Sequence, residues 1–121
     1  MKRAKLNRGI SERISIAIQT VQGCELCLNA HTNAARAAGI SPEEIDLSRT
    51  GTSEDPRIAA IVAVALKVYR EPSTITDAEI AELQMLGYST REIIDVVGIV
   101  SLNILTGAFN LLADLTPNHH S

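Results

Sequence analysis

This chain is predicted to be all-α. Its apolar residues cluster at three- and four-residue spacing, and almost every glycine, proline or hydroxyl residue sits where a helix would start or stop. No segment alternates apolar and polar residues as a half-buried strand does, and no repeat or low-complexity stretch interrupts the 121 residues. That length, with 45% hydrophobic residues, suffices for one core without covalent staples. Residues 1–121 are therefore expected to form a single domain, a compact bundle of about six helices.

Ile10, Ile14, Ile18 and Val21 share one helical face and place a first helix over about residues 11–22. Gly23 stops it, and a second helix is expected from Cys24 to Ala38. Gly39 followed by Ile40 reads as a Schellman ending. Ser41-Pro42-Glu43-Glu44 offers a capping serine, proline at the first helical position and glutamate at the third, so a short third helix begins there. Residues 49–54, with Gly51 and three hydroxyl side chains, form the clearest loop. Asp55-Pro56 opens a fourth helix with a core stripe of Ile58, Ile61, Val62, Ala65 and Val68, ending before Glu71-Pro72. Thr76 with Glu79 caps a fifth helix that Gly87 ends, and Ser89 with Glu92 caps a sixth over about residues 90–114.

That sixth helix is apolar on more than one side, from Ile93 and Ile94 through Val100 to Leu111 and Leu112. At 1.5 Å per residue it would be roughly 37 Å long. A domain of this size has a diameter near 35 Å, so one subunit can hardly cover it. A homo-oligomer built through this segment is expected; the rival is a helix broken at Gly98 or Gly107 and folded back into its own core.

The chemistry concentrates in Cys24-Glu25-Leu26-Cys27-Leu28-Asn29-Ala30-His31, which holds both cysteines of the chain. Residues three and four apart are helix-surface neighbours, so Cys24 lies near Cys27 and Cys27 near His31. First-turn thiolates face unpaired N–H groups and the positive end of the helix dipole, which favours the nucleophilic form. Neighbouring first-turn positions also bring Cα atoms within the roughly 4.4–6.8 Å that a disulfide requires. The spacing therefore allows a reversible dithiol/disulfide switch. Glu25, at the helix opening, reads as dipole support.

Composition narrows the function classes. Net charge is −3 and Tyr69, Tyr88 and Phe109 are the only aromatic residues, which argues against a nucleic-acid partner. The basic Met-Lys-Arg-Ala-Lys start is not followed by a signal-peptide apolar region. The longest uninterrupted apolar run, Ile58 to Leu66, falls short of the roughly 20 residues that span a bilayer. A cytoplasmic protein without a membrane partner is expected, and in a reducing compartment a Cys-x-x-Cys pair is catalytic or metal-binding more often than structural.

Glu12, then Cys24 twelve positions on, Cys27 and His31, within a small helical chain, resemble the AhpD-like (alkylhydroperoxidase) branch of the carboxymuconolactone decarboxylase family. The similarity runs from Glu12 to about Leu115 and includes the Ser11-Glu12-Arg13 lead-in, the Gly-Cys-x-x-Cys-x-x-x-His core, Asn103 and Phe109-Asn110. The resemblance implies a thiol peroxidase or disulfide oxidoreductase without a cofactor, assembled as dimers that often join into trimers or hexamers. It implies Cys27 as the peroxide-attacking thiolate, Cys24 as its resolving partner, His31 as the base and Glu12 as the group that orients His31. A hydroperoxide would be the substrate, and a separate thiol or dithiol the reductant. The family's best-known peroxidase has a second histidine between its cysteines, where this chain has Leu26. Decarboxylases of the family generally lack the cysteine pair.

Glu12 is also within geometric reach. If the first two helices pack antiparallel across Gly23, Glu12 and His31 sit roughly 16 and 12 Å from the turn, an offset a glutamate can span. Ser15 and Gln19 share that general face and could hold the imidazole instead. A competing function is a non-enzymatic helical module, zinc-binding or redox-sensing. Two thiolates and an imidazole make a good zinc set, but the fourth ligand could come only from His119 or His120, which read more simply as a C-terminal tail. Haem attachment is excluded because Leu28, not histidine, follows Cys27.

Overall fold

A computed structural model describes residues 5–114 of the chain. Among the described residues every regular element is helical: α1 (Arg8–Gln22), α2 (Glu25–Ala37), α3 (Pro42–Arg49), α4 (Pro56–Arg70), α5 (Asp77–Met85) and α6 (Thr90–Asp114), with a 3-10 turn at Pro72–Thr74 between α4 and α5. His119 and His120 lie outside the described residues.

Side-chain caps set most of these boundaries. Asn7 accepts from the Ile10 N–H, so α1 starts three residues before the expected Ser11. Ser41 and Asp55 cap α3 and α4 in front of Pro42 and Pro56. Thr76 and Glu79 close a reciprocal capping box on α5, and Ser89 and Glu92 do the same ahead of α6. Gly39 has φ +89°, and the Ile40 N–H reaches the Ala35 carbonyl at 3.0 Å, which completes the Schellman ending of α2. Cys24 lies one position outside α2, as its N-cap and not its first residue.

α1 is the central element and packs against α2, α3, α4 and α6. Its Ile10, Ile14, Ala17 and Ile18 join Ile61, Val62 and Ala65 of α4, Leu83 of α5, Tyr88, and Val96 and Val100 of α6 in the main core. Ile16, on another face, packs with Ala35 of α2 and Ile45 of α3. Burial on several sides explains why every residue from Ile14 to Gln19 is enclosed, polar Ser15 and Gln19 included. Each fully buried isoleucine contributes about 1.5–3 kcal/mol, so α1 is the stability axis as well as the geometric one.

α6 runs unbroken through both Gly98 and Gly107. Its inner face carries Val96, Val100, Asn103 and Gly107, while Ile94, Leu102, Leu105, Phe109 and Leu112 are exposed at between 60% and 68%. Among the described residues it is the one helix long and apolar enough to cross a membrane, with 22% of its most apolar window buried. Asp95, Ser101 and Asn103 interrupt its apolar residues, so no uninterrupted run in α6 is as long as Ile58 to Leu66.

Candidate active site

The turn at Gly23 makes the site. Gly23 takes φ +88°, a left-handed conformation costly for a residue with a side chain, and its N–H closes α1 onto the Gln19 carbonyl. The chain then reverses, and Cys24 caps α2. Its Sγ accepts from the Cys27 N–H at 3.3 Å, as a serine hydroxyl would in that place. Cys24 and Cys27 are joined as a disulfide, their Cα atoms 5.4 Å apart. Both are buried, at 2% and 7% exposure, so whatever reacts with either sulfur must come through a defined opening.

One turn beyond Cys27, the His31 ring meets α1. His31 Nδ1 lies 2.8 Å from Glu12 Oε1. An ionised carboxylate only accepts, so Nδ1 carries the hydrogen and Nε2 is left as the basic nitrogen. Arg8, a turn earlier on α1, stands 3.9 Å from the other Glu12 oxygen. Ser15 and Gln19 do not hold the imidazole. They point at α6 instead, where Gln19 Nε2 donates to both the side chain and the backbone carbonyl of Asn103, at 2.9 and 3.0 Å, and Asn103 Nδ2 donates to Ser15 Oγ at 3.0 Å. Glu25 is exposed in the first turn of α2, where its charge faces the positive end of the helix.

α6 supplies a third wall, and with it a residue to which spacing alone assigned no role. Asn110 Nδ2 donates to Cys27 Sγ at 3.5 Å and to the Thr106 carbonyl at 3.0 Å. Asn103, Gly107 and Asn110 fall at i, i+4 and i+7 in the C-terminal half of a largely apolar helix, a stripe of small and amide side chains that marks the face toward α1 and α2.

Two openings flank these groups. One, of about 210 Å³, is bordered by Glu12, Ser15 and His31 on one side and by Ile99, Leu102 and Thr106 on the other. The second, of about 380 Å³, lies against Cys24, Leu26, Asn110 and Leu111. A further concavity of about 410 Å³ beside Lys5, Arg91 and Asp95 contains no thiol or imidazole. Among the described residues no group of three or more His, Cys, Asp or Glu side chains is arranged to hold a metal ion. The geometry thus brings a dithiol, an oriented imidazole and an amide donor to one junction of three helices, a set suited to thiol redox chemistry.

Two solved structures share the fold. The first, described as an alkylhydroperoxidase AhpD core and uncharacterized peroxidase-related protein from Ralstonia eutropha, superposes with a TM-score of 0.84 at 23% identity. The second, an uncharacterized peroxidase-related protein from a Silicibacter species, gives 0.83 at 21%. Each match covers 98% of this chain but only 64% and 63% of the respective relative, so the chain spans less than two thirds of their length. No curated protein sequence matches significantly. Residues 1–71, more than half the chain, match the pattern of the carboxymuconolactone decarboxylase family, and with its AhpD-like helical fold the chain belongs to that family.

Proposed function

We propose that this protein is a thiol-dependent peroxidase, an oxidoreductase that reduces hydroperoxides through Cys24 and Cys27. The observation that carries the reading is the Cys24–Cys27 pair followed one helical turn later by a His31 ring fixed by Glu12 at 2.8 Å. In the reduced protein, His31 Nε2 takes the Cys27 proton. The thiolate attacks one peroxide oxygen, the O–O bond breaks, and the departing alkoxide receives the proton from the imidazolium. Cys27 is left as a sulfenic acid. The Cys24 thiol then attacks that sulfur, water leaves, and the disulfide forms. A thiol or dithiol reductant returns two electrons and two protons to close the cycle, which suits a reducing compartment such as the cytoplasm.

The small opening beside His31 and the apolar Ile99 and Leu102 suits a compact alkyl hydroperoxide. The exposed stripe of α6 supports a homo-oligomer, with a second copy of the chain covering Leu102, Leu105, Phe109 and Leu112.

The test is to mix fully reduced protein with one equivalent of an alkyl hydroperoxide, following peroxide consumption and intact mass. Rapid loss of two hydrogens, mapped to a Cys24–Cys27 bridge and abolished in Cys27→Ser, supports the reading. A reduced protein that consumes no peroxide rejects it and points to disulfide exchange with a protein partner.

A further inference from the structure

We propose that Asn110 is a catalytic hydrogen-bond donor, contributed by α6, that stabilises the Cys27 thiolate and so sets both its reactivity and the redox poise of the dithiol. The inference deepens the thiol-peroxidase reading and rests on it for its functional meaning, but its physical content concerns one atom pair.

A primary amide has two N–H bonds. Asn110 gives one to the Thr106 carbonyl at 3.0 Å, which fixes the plane of the amide, and aims the other at Cys27 Sγ, 3.5 Å away. Among the described residues it is the one side chain whose N–H reaches that sulfur. In the disulfide the sulfur is a weak acceptor and the contact contributes little. In the reduced protein a thiolate would sit at a residue only 7% exposed, where few waters can solvate it. There the same N–H becomes a charge-assisted donor, roughly twice as strong as a neutral one. The contact therefore favours thiolate over thiol, and the reduced pair over the disulfide.

The redox consequence follows from the balance of the exchange. Dithiothreitol gives two electrons and two protons and becomes a cyclic disulfide; Cys24 leaves as a thiol, Cys27 as a thiolate, and one proton goes to solvent. Stabilising the Cys27 product pulls this equilibrium toward reduced protein and makes the pair the stronger oxidant.

The experiment uses the full chain. In a Cys24→Ser background, where serine keeps the N-cap, Cys27 is alkylated with iodoacetamide across a pH series, with Asn110→Ala and Asn110→Asp compared to the parent. The midpoint should rise by about one pH unit in Asn110→Ala. It should rise further in Asn110→Asp, which keeps the shape but sets a negative acceptor beside the sulfur. With both cysteines present, and at a pH above both midpoints, equilibrium with dithiothreitol should move toward the disulfide by about tenfold, or about 30 mV, in Asn110→Ala. Should the alanine variant fail to fold by circular dichroism, the near-isosteric aspartate decides alone. Midpoints within about 0.2 units of the parent in the folded variants would overturn the proposal and leave Asn110 a packing residue. Peroxide consumption by the wild-type protein is read separately. A shifted midpoint without peroxidase activity sinks the proposed function and keeps the Asn110 assignment, whereas activity without a shift does the reverse.

Discussion

Glu12 and His31 are 19 residues apart in the chain and 2.8 Å apart in space. The Gly23 turn folds α2 back along α1 and sets the carboxylate against Nδ1. The pair contributes modestly to the fold, since the Glu12 and His31 side chains are partly open to solvent, at 14% and 30% exposure. It also fixes which ring nitrogen carries the hydrogen and which is left free.

Glu12→Ala should therefore act on rate far more than on stability. Losing the orienting carboxylate frees the ring and its tautomer, and peroxide-driven oxidation of the dithiol is expected to slow by about 10- to 100-fold. The unfolding free energy should change by less than about 1 kcal/mol. Stopped-flow oxidation and urea denaturation of the same preparation separate the two effects. An equal loss in both would mean that Glu12 holds the fold and not the imidazole.

Gly107 is predicted to resist even alanine. A Cβ there would meet Gln19 Oε1 at 2.7 Å and Gln22 at 2.8 Å. Gln22 can swing toward solvent, but Gln19 is fully buried and held by two hydrogen bonds to Asn103. Helix propensity alone would make Gly107→Ala stabilising by about 1 kcal/mol. Overpacking costs about 1–3 kcal/mol, so the net result should be destabilisation by up to about 2 kcal/mol, read from denaturant midpoints. A more stable variant would show that α6 sits farther from α1 than these distances imply.

The helices were legible because most boundaries carry their own chemistry: Ser41-Pro42, Asp55-Pro56, the Thr76–Glu79 and Ser89–Glu92 boxes, and the positive-φ glycines. Cys24, Cys27 and His31 were legible because all three lie on one local segment, where spacing is geometry. What spacing could not decide was long-range. Helix geometry alone leaves Ser15 and Gln19 as alternatives to Glu12 for His31, the resemblance favours Glu12, and the rotation of α1 turns the other two toward Asn103. Asn110 is 83 residues from the cysteine it touches, and no local pattern specifies that contact. The Asn7 cap lengthens α1 by three residues, a start that the apolar stripe beginning at Ile10 does not mark.

Acid should weaken the α1–α3 junction through Glu44. The Ser53 hydroxyl and the Glu54 N–H, helped by the Arg13 guanidinium, hold its carboxyl below the usual carboxylate range and outweigh burial and the nearby Asp55. A lowered native value means that the stabilisation is fully present above about pH 5 and is lost as pH falls through the folded-state value. Glu44→Gln should be destabilised relative to wild type at neutral pH by about 1–2 kcal/mol, because Arg13, Ser53 and the Glu54 N–H lose a charged partner. The difference should shrink as pH falls through the folded-state value, in paired urea titrations. A gap independent of pH would assign the effect to packing.

The exposed stripe of α6 makes the last prediction. Leu102, Leu105, Phe109 and Leu112 recur at three- and four-residue spacing and are 60%, 67%, 68% and 67% exposed. A contiguous exposed apolar stripe of this kind is the mark of an interaction surface, and a stable homodimer needs about 1,200–2,000 Å² buried in total. A helix of 25 residues laid against its copy can supply much of that area. Placing a charge at the centre of the stripe, as in Leu105→Glu, should therefore yield a folded monomer by sedimentation, with the helical circular dichroism signal retained. The same charge on the lipid-facing side of a membrane helix would instead abolish vesicle binding, so flotation with phospholipid vesicles separates the two environments. A wild-type protein that sediments as a monomer and ignores vesicles would reject both, whereas an oligomer that Leu105→Glu dissolves places the second copy on this face.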